Sequence, residues 1–505
     1  MIPLRADAPA VLPRRISGGA LRRRPTLLGR AVLLLCCLCL AAPALATDFP
    51  LDFTLIRMGE ASRPQPAAEH AGEGRTVLVV GGIQGDEPGG FSAATLLTTH
   101  YTVTGGSLWV VPNLNFPSII KRSRGLHGDM NRKFARLDAS DPEFSTVRRI
   151  QELISHPQVG LVLNLHDGSG YYRPRYEDKL RNPARWGQSV IIDQEELPDA
   201  FMGTLGETAR RAAAAANGKL IAPGHRLHVH NTRTAEGDRE MEKSLSYYAV
   251  RQGKAAFGLE ASKEFPVELR AYYHLLMLES FLQQAGLQFS RGFELTPAGV
   301  RKALLDKLDV SFVDNRIFLP LDDVRPAINL LPMSREAPAR AVTSKPIMAV
   351  LPCAGDREGQ YCVHYGNRRM TLIRPEWREM DDSLSGMRVQ ADGRELDIPF
   401  GQVLRVSRSL RILPAAGYRV NAIGFGGSLR DESDIPLARK DFDPRFSVDR
   451  QGRLYRIEVY REQRFSGMFL VRFDTSAKRP ARRAVSRLRK DRLPDRPGPE
   501  SRLGF

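Results

Sequence analysis

The sequence predicts an α/β protein: a mostly parallel sheet with helices on both faces, followed by two small β-rich domains. Three observations carry this. Apolar runs of strand length alternate with helix-length segments through the first half of the chain. Those runs, such as Thr76 to Val80 and Val159 to Leu163, are continuously apolar, as strands covered on both faces must be. After about residue 295 the texture changes to short β-rich runs punctuated by Pro and Gly.

The elements follow in order. Thr76 to Val80 is the first strand. Pro88 suits the first turn of a helix reaching about Leu97, because its missing N–H would be unbonded there in any case. Ser107 to Val111 is a strand, Phe144 to Ile154 a helix and Val159 to Leu163 a strand. Pro198 to Ala216 reads as a long Ala-rich helix. Lys254 to Glu260 is a strand. Leu269 to Ala285 is an amphipathic helix with Tyr272, Leu275, Leu276 and Leu282 at helical spacing. Ile347 to Leu351 and Gln402 to Val406 read as strands. Leu454 to Tyr460 and Met468 to Phe473 read as a hairpin, and the alternation of Tyr455, Ile457 and Val459 predicts half-buried strands. The expected divisions are a signal peptide over 1–46, an α/β domain over 47–295, a β-rich domain over 296–397, a β-sandwich-like domain over 398–475 and a basic, disordered tail over 476–505.

The net charge of +17 looks like a nucleic-acid signal until it is located. Residues 1–30 carry +6 and residues 478–505 carry +7, which leaves only +4 on the body. Few aromatics interleave with the basic residues, so nucleic acid is not an expected partner. Arg14, Arg15, Arg22, Arg23, Arg24 and Arg30 form a basic leader, Ala31 to Ala42 an apolar stretch, and Ala44-Leu45-Ala46 a small-x-small cleavage site. The apolar stretch is short of the roughly 20 residues that a span needs. The expectation is an exported, periplasmic protein whose mature chain starts at Thr47 and keeps no membrane span. Of the five cysteines, Cys36, Cys37 and Cys39 leave with the leader. Cys353 and Cys362 remain, either as a disulfide closing a short loop or as two thiols.

Two short loops stand out chemically. Gly81-Gly82-Ile83-Gln84-Gly85-Asp86-Glu87-Pro88-Gly89-Gly90 follows the first strand, and Asn164-Leu165-His166-Asp167-Gly168 follows another. In an open α/β sheet, loops beyond the C-terminal strand ends carry the ligand site. Gln84, Glu87 and His166 would give a three-point metal site with one position left for water, the form of a catalytic zinc. Gln84 stands where a second His would be expected. Its amide oxygen is neutral like a His nitrogen but a weaker donor, and read alone it is equally a residue satisfying its own loop. Glu260 ends a strand on the same sheet edge and is the candidate general base, the alternative being a salt-bridged surface Glu. Asn131 and Arg132 can grip a carboxylate, the Arg bidentately. Arg124 can face a developing oxyanion. The bland reading of this stretch is a solvated basic turn. Trp186 suits either substrate stacking or packing. His225, His228 and His230 lack a framing carboxylate or Cys and read as polar wall rather than a metal site.

Together these residues resemble zinc carboxypeptidases of the M14-like clan, and more closely the M99 family of D,L-carboxypeptidases that trim peptidoglycan peptides and set cell shape. The shared pattern is the Gly-Gly-Ile-Gln-Gly-Asp-Glu-Pro-Gly-Gly loop with Gln in the first ligand position. The resemblance spans roughly residues 76–263 in motifs and is only architectural beyond. It implies a carboxypeptidase-like fold followed by two β domains, the last immunoglobulin-like. It implies that Gln84, Glu87 and His166 hold zinc, that Glu260 is the base, and that Asn131 and Arg132 grip the substrate carboxylate while Arg124 and Trp186 contact substrate. The implied substrate is a muramyl tripeptide, cut between D-glutamate and diaminopimelate. Two alternatives stand beside it: an N-acyl amino acid deacylase of the succinylglutamate desuccinylase kind, and a non-catalytic peptidoglycan-binding protein with a degenerate metal site.

Overall fold

The structure, a computed structural model, describes residues 51–60, 74–353, 359–427 and 430–474. The expected leader and basic tail lie outside these residues. Seven strands make the central sheet: β1 (Ile56–Gly59), β2 (Thr76–Val80), β3 (Ser107–Val111), β4 (Val159–Gly168), β5 (Ser189–Ile192), β6 (His228–Asn231) and β7 (Ala255–Ser262). Their spatial order is β1-β3-β2-β4-β7-β5-β6. The four middle strands β3, β2, β4 and β7 run parallel. β1 and β5 lie antiparallel to their inner neighbours, which makes the sheet mixed at both ends.

Every residue of β2, β4 and β7 is buried, as continuous apolar runs require. One face packs on α1 (Pro88–His100), α3 (Leu205–Asn217) and α5 (Val267–Gln284), through Val77, Val79, Leu163, Leu165, Phe257 and Leu259. The other packs on α2 (Phe144–Ser155) and α4 (Leu245–Arg251), through Leu78, Val80, Val162 and Ala256. The strict alternation of a strand then puts His166 and Glu260 on the α2/α4 side. β4 runs on past the expected end at Leu163 to Gly168, because β7 pairs with it throughout. Residues 164–168 are therefore strand rather than loop. The Ala-rich helix starts at Leu205, not Pro198, since residues 197–203 close a turn in which Leu197 N–H donates to the Gly203 carbonyl at 2.7 Å.

Beyond the sheet, α6 (Pro297–Leu305) packs on α1 and α5, and its Val300 and Ala303 join the same core. Ala327–Met333, Arg368–Trp377, Tyr361–Tyr365 and Met348–Pro352 form a four-stranded sheet in that order. A disulfide joins Cys353 to Cys362 across Cα atoms 5.3 Å apart. A three-stranded sheet containing Gly386–Ala391 and Arg394–Pro399 shares one core with a four-stranded sheet built on Leu454–Arg461 and Arg464–Phe473. The expected division at 397/398 falls inside Arg394–Pro399. The expected half-burial of Leu454–Arg461 is not what forms: residues 454–460 are all buried. Tyr455, Ile457 and Val459 face one core while Leu454 and Tyr460 face another. The polar residues on that second face pair, Arg456 with Glu458 at 3.2 Å, and Tyr460 donates to Glu458 at 2.7 Å.

Candidate active site

The chain leaves β2 at Val80 and enters α1 at Pro88, so seven residues make the turn. Gly82 sits at φ +72°, a conformation that costs glycine little. Gly89 must lack a side chain, because a Cβ there would lie 2.4 Å from Asp167 Oδ1. Glu87 immediately precedes α1 but does not cap it; its carboxylate turns toward the end of β4.

Three donors meet there. His166 Nδ1 lies 3.0 Å from Gln84 Oε1 and 3.0 Å from Glu87 Oε2. All three side chains are buried. Tetrahedral ligand atoms at zinc stand about 3.3–3.6 Å apart, from bonds of about 2.0–2.2 Å, so a small metal fits with slight spreading. Among the described residues no group of three His, Cys, Asp or Glu is placed to hold a metal. A metal here would need a third donor of another kind, and Gln84 Oε1 meets that need. The amide is aimed by its other end, since Nε2 donates to Asp129 Oδ1 at 2.7 Å. Burial works against the Asp129 charge, but bonds from Gln84 and Arg124 outweigh it and hold the carboxyl below its usual range.

Glu260 stands directly opposite His166 in the β4–β7 register. It is buried, and its Oε2 has no hydrogen-bond partner among the described residues. Burial, followed by the charges of Glu87 and Asp167, pushes its carboxyl well above the ordinary value. An unpartnered buried carboxyl beside a metal-type cluster is a functional-site signature.

The remaining expected residues gather round the same cleft of about 330 Å³. Asn131 Nδ2 lies 3.5 Å from His166 Nε2, and its Oδ1 accepts from Leu245 N–H at 2.9 Å. Arg132 lines the cleft with its guanidinium 3.7 Å from Glu240. Arg124 bridges Asp129 at 3.0 Å and Glu87 at 3.4 Å. Trp186 lines the cleft and leans on His230, with ring centroids 5.0 Å apart. His230 stacks flat on Tyr172, and burial depresses it to about 4. His225 Nδ1 pairs with the Tyr273 hydroxyl at 2.7 Å. Both histidines are thus engaged by aromatic partners.

Sequence reasoning missed two residues. Asp167 is wholly buried; it accepts from Gly89 N–H at 2.8 Å and from Arg270 at 3.2 Å, and faces His274 Nε2 at 3.2 Å. Burial opposes its charge, but His274 and Arg270 win and hold its carboxyl low. It thereby ties the start of α1 to the end of β4 and to α5. The signal was its place next to His166. Lys263, three residues beyond Glu260, reaches Asp86 at 3.1 Å and Glu87 at 3.2 Å. Nothing local marked it.

Residues 53–305 match the M99 peptidase family model, described as a carboxypeptidase controlling helical cell shape, catalytic. Residues 380–474 match the model for the C-terminal domain of metallo-carboxypeptidase. The product-bound cell shape determinant protein Csd4 from Helicobacter pylori is 40% identical, covering 84% of this chain and 100% of its own, with a TM-score of 0.75. Its tripeptide-bound form gives 40% identity over 84% and 100% at 0.74. The mDAP-bound form of Helicobacter pylori Csd4, described as a D,L-carboxypeptidase, gives 40% over 83% and 100% at 0.75. Among curated proteins none matches.

Proposed function

The chain belongs to the M99 family of carboxypeptidases controlling helical cell shape, and from that premise we propose that it is a zinc enzyme trimming peptidoglycan stem tripeptides between D-glutamate and diaminopimelate. The tripeptide- and mDAP-bound forms of the Helicobacter pylori relative support the substrate. The observation that carries the chemistry is the convergence of Gln84 Oε1 and Glu87 Oε2 on His166 Nδ1, each at 3.0 Å, with Glu260 in register beside His166.

In this reading Gln84, Glu87 and His166 hold the metal. When bound, zinc supplies Lewis acidity to the scissile carbonyl and to the attacking water. Glu260 takes a proton from the water as its oxygen adds to the carbonyl carbon. It gives that proton to the amine as the C–N bond breaks. Arg124 meets the oxyanion, and its anchorage on Asp129 holds it ready. Asn131 and Arg132 hold the carboxylate of the leaving residue. Trp186 gives the substrate an apolar wall. The desuccinylase alternative is not favoured.

Two further parts belong to this proposal. α6 and the shared β core support a catalytic domain running to about residue 305 and a C-terminal domain starting near 380. The protein works in the periplasm. No helix of the described residues is long and apolar enough to cross a membrane.

The test is incubation with muramyl tri-, tetra- and pentapeptides followed by mass analysis. Loss of one diaminopimelate from the tripeptide is expected. Intact tripeptide after incubation with zinc-replete protein refutes the reading. Protein purified without chelators should carry one zinc; metal-free protein that binds peptidoglycan would favour the non-catalytic alternative.

A further inference from the structure

The cleft carries three cationic side chains among its lining residues: Arg124, Arg132 and Lys263. The first two have roles in the reaction. Lys263 has none, yet it is as withdrawn as Arg132, with 29% of its side chain accessible against 30%. An ammonium has three donors. Two of them reach Asp86 Oδ2 at 3.1 Å and Glu87 Oε1 at 3.2 Å, and the third has no partner among the described residues. Lys263 meets Glu87 through Oε1, whereas Oε2 is the oxygen that faces His166, so a metal ligated by Oε2 leaves both anions to the ammonium. The third donor is the one left to meet a substrate anion that enters the cleft.

Its position tells which part of a substrate it meets. Asn131 approaches the donor cluster from His166 Nε2, at 3.5 Å, and Arg132 follows it in the chain. Lys263 approaches from Glu87 and Asp86 instead. The carboxylate grip and Lys263 thus reach the donor cluster through different members, His166 and Glu87. A peptide whose terminal carboxylate is held at Asn131 and Arg132 crosses the donors at its scissile bond. Its acyl residue then arrives beside Lys263. An α-linked peptide presents no charge there, because its α-carboxyl is spent in the bond being cut. A γ-linked glutamate keeps a free α-carboxylate three carbons from the scissile carbonyl.

We propose that Lys263 is a specificity-determining residue that selects acyl residues bearing a free α-carboxylate, and so reads the γ-linkage of the substrate. The proposal rests on the carboxypeptidase reading above. Asp86 holds the ammonium in place, and Glu87 ties that position to the metal loop. Amidation of the glutamyl α-carboxyl, which turns D-glutamate into D-isoglutamine, removes the recognised charge while leaving the scissile bond unchanged.

Two tripeptides differing only in that group, α-carboxylate against α-carboxamide, provide the test. Wild-type kcat/KM should fall about 10- to 100-fold on amidation, the usual value of a hydrogen bond to a charged group. Lys263→Gln should lose a similar factor on the acidic peptide and lose little more on the amide, since both changes delete one interaction. Lys263→Arg should keep the preference. Zinc content of each variant, measured alongside, should stay at one per chain, which separates recognition from damage to the metal loop. Equal wild-type kcat/KM on the two peptides overturns the proposal. So does a Lys263→Gln enzyme that still prefers the acid by the full wild-type factor. A zinc-replete wild-type enzyme that cleaves neither peptide overturns the carboxypeptidase reading and this proposal with it.

Discussion

Replacing Asp167 with Asn should loosen the whole site without replacing Gln84, Glu87 or His166. The side chain has no exposure and serves three partners: Gly89 N–H at 2.8 Å, Arg270 at 3.2 Å and His274 at 3.2 Å. Asn keeps one acceptor, loses the charge and turns an NH₂ toward groups that are themselves donors. Each hydrogen bond involving a charged group is worth about 1.5–3 kcal/mol, but three on one carboxylate share a network and do not add. Removing one partner of a buried ion pair costs about 3–5 kcal/mol, and that range is expected here. For a domain near 250 residues each kcal/mol moves Tm by about 2–4 °C, so the metal-free variant should melt roughly 6–20 °C lower. Glu87 and His166 are then less well aimed, and residues of this supporting kind typically set about 10- to 100-fold in metal affinity. Calorimetric melting of metal-free protein, followed by zinc titration well below the lower Tm, reads both effects. A variant that melts within about 2 °C of wild type and binds zinc within twofold refutes the argument that Asp167 assembles the site.

Glu260→Gln should retain zinc and lose more than about tenfold in kcat, since general-base work is worth about 10²–10⁴-fold; retention of a tenth of wild-type activity removes Glu260 from that role. Gln84→His should tighten zinc, because imidazole is the better donor and its second nitrogen can still meet Asp129. If Gln84→His and Gln84→Ala both leave zinc affinity untouched in a competition titration, residue 84 is not a ligand. Arg132→Ala should cost about 10- to 100-fold in kcat/KM with stability unchanged, and amidating the terminal carboxyl of the tripeptide should add little to that loss; full additivity would place Arg132 elsewhere. Burial pushes the Asp193 carboxyl up to about 6, above its usual value near 3.9, so the folded protein holds that proton more tightly than the unfolded chain. The stability it lends is present below pH about 4 and lost as pH rises through 6. Asp193→Asn should therefore match wild type in stability near pH 4 and exceed it by pH 7.5, by on the order of 3 kcal/mol; a gap that shrinks as pH rises contradicts the assignment.

The middle strands were legible because burial on both faces leaves a continuous apolar run. Thr76–Val80 and Ser107–Val111 match their expected bounds. That Gln84, Glu87, His166 and Glu260 would gather at one sheet edge was legible for a related reason: polar residues at the ends of such runs have little structural excuse. Residues 164–168 were misjudged because Asn164 and Asp167 look like loop residues, while the ladder with β7 overrides that local preference. Alternation at Tyr455, Ile457 and Val459 suggested one wet face, but the Arg456–Glu458 pair lets polar side chains stay inside. Lys263 was hidden because its partners, Asp86 and Glu87, lie far from it along the chain and join it only through the sheet.

The register that sets His166 opposite Glu260 also makes the site a witness to folding. The first loop, β4 and β7 are separated by long stretches of chain, including α2, α3 and α4. Parallel pairing over such separations is slow, because the entropy of closing each loop is lost before the contact is gained. A slip of β7 by one residue would turn Glu260 to the opposite face of the sheet. On the proposed ligand set, tight metal uptake has to wait for β4 to pair with β2 in register, and catalysis has to wait for β7 as well. During refolding, the recovery of zinc affinity should trail the return of helical signal from α1 and α5 and coincide with closure of the β2–β4 ladder, while activity returns only once β7 has set Glu260 opposite His166.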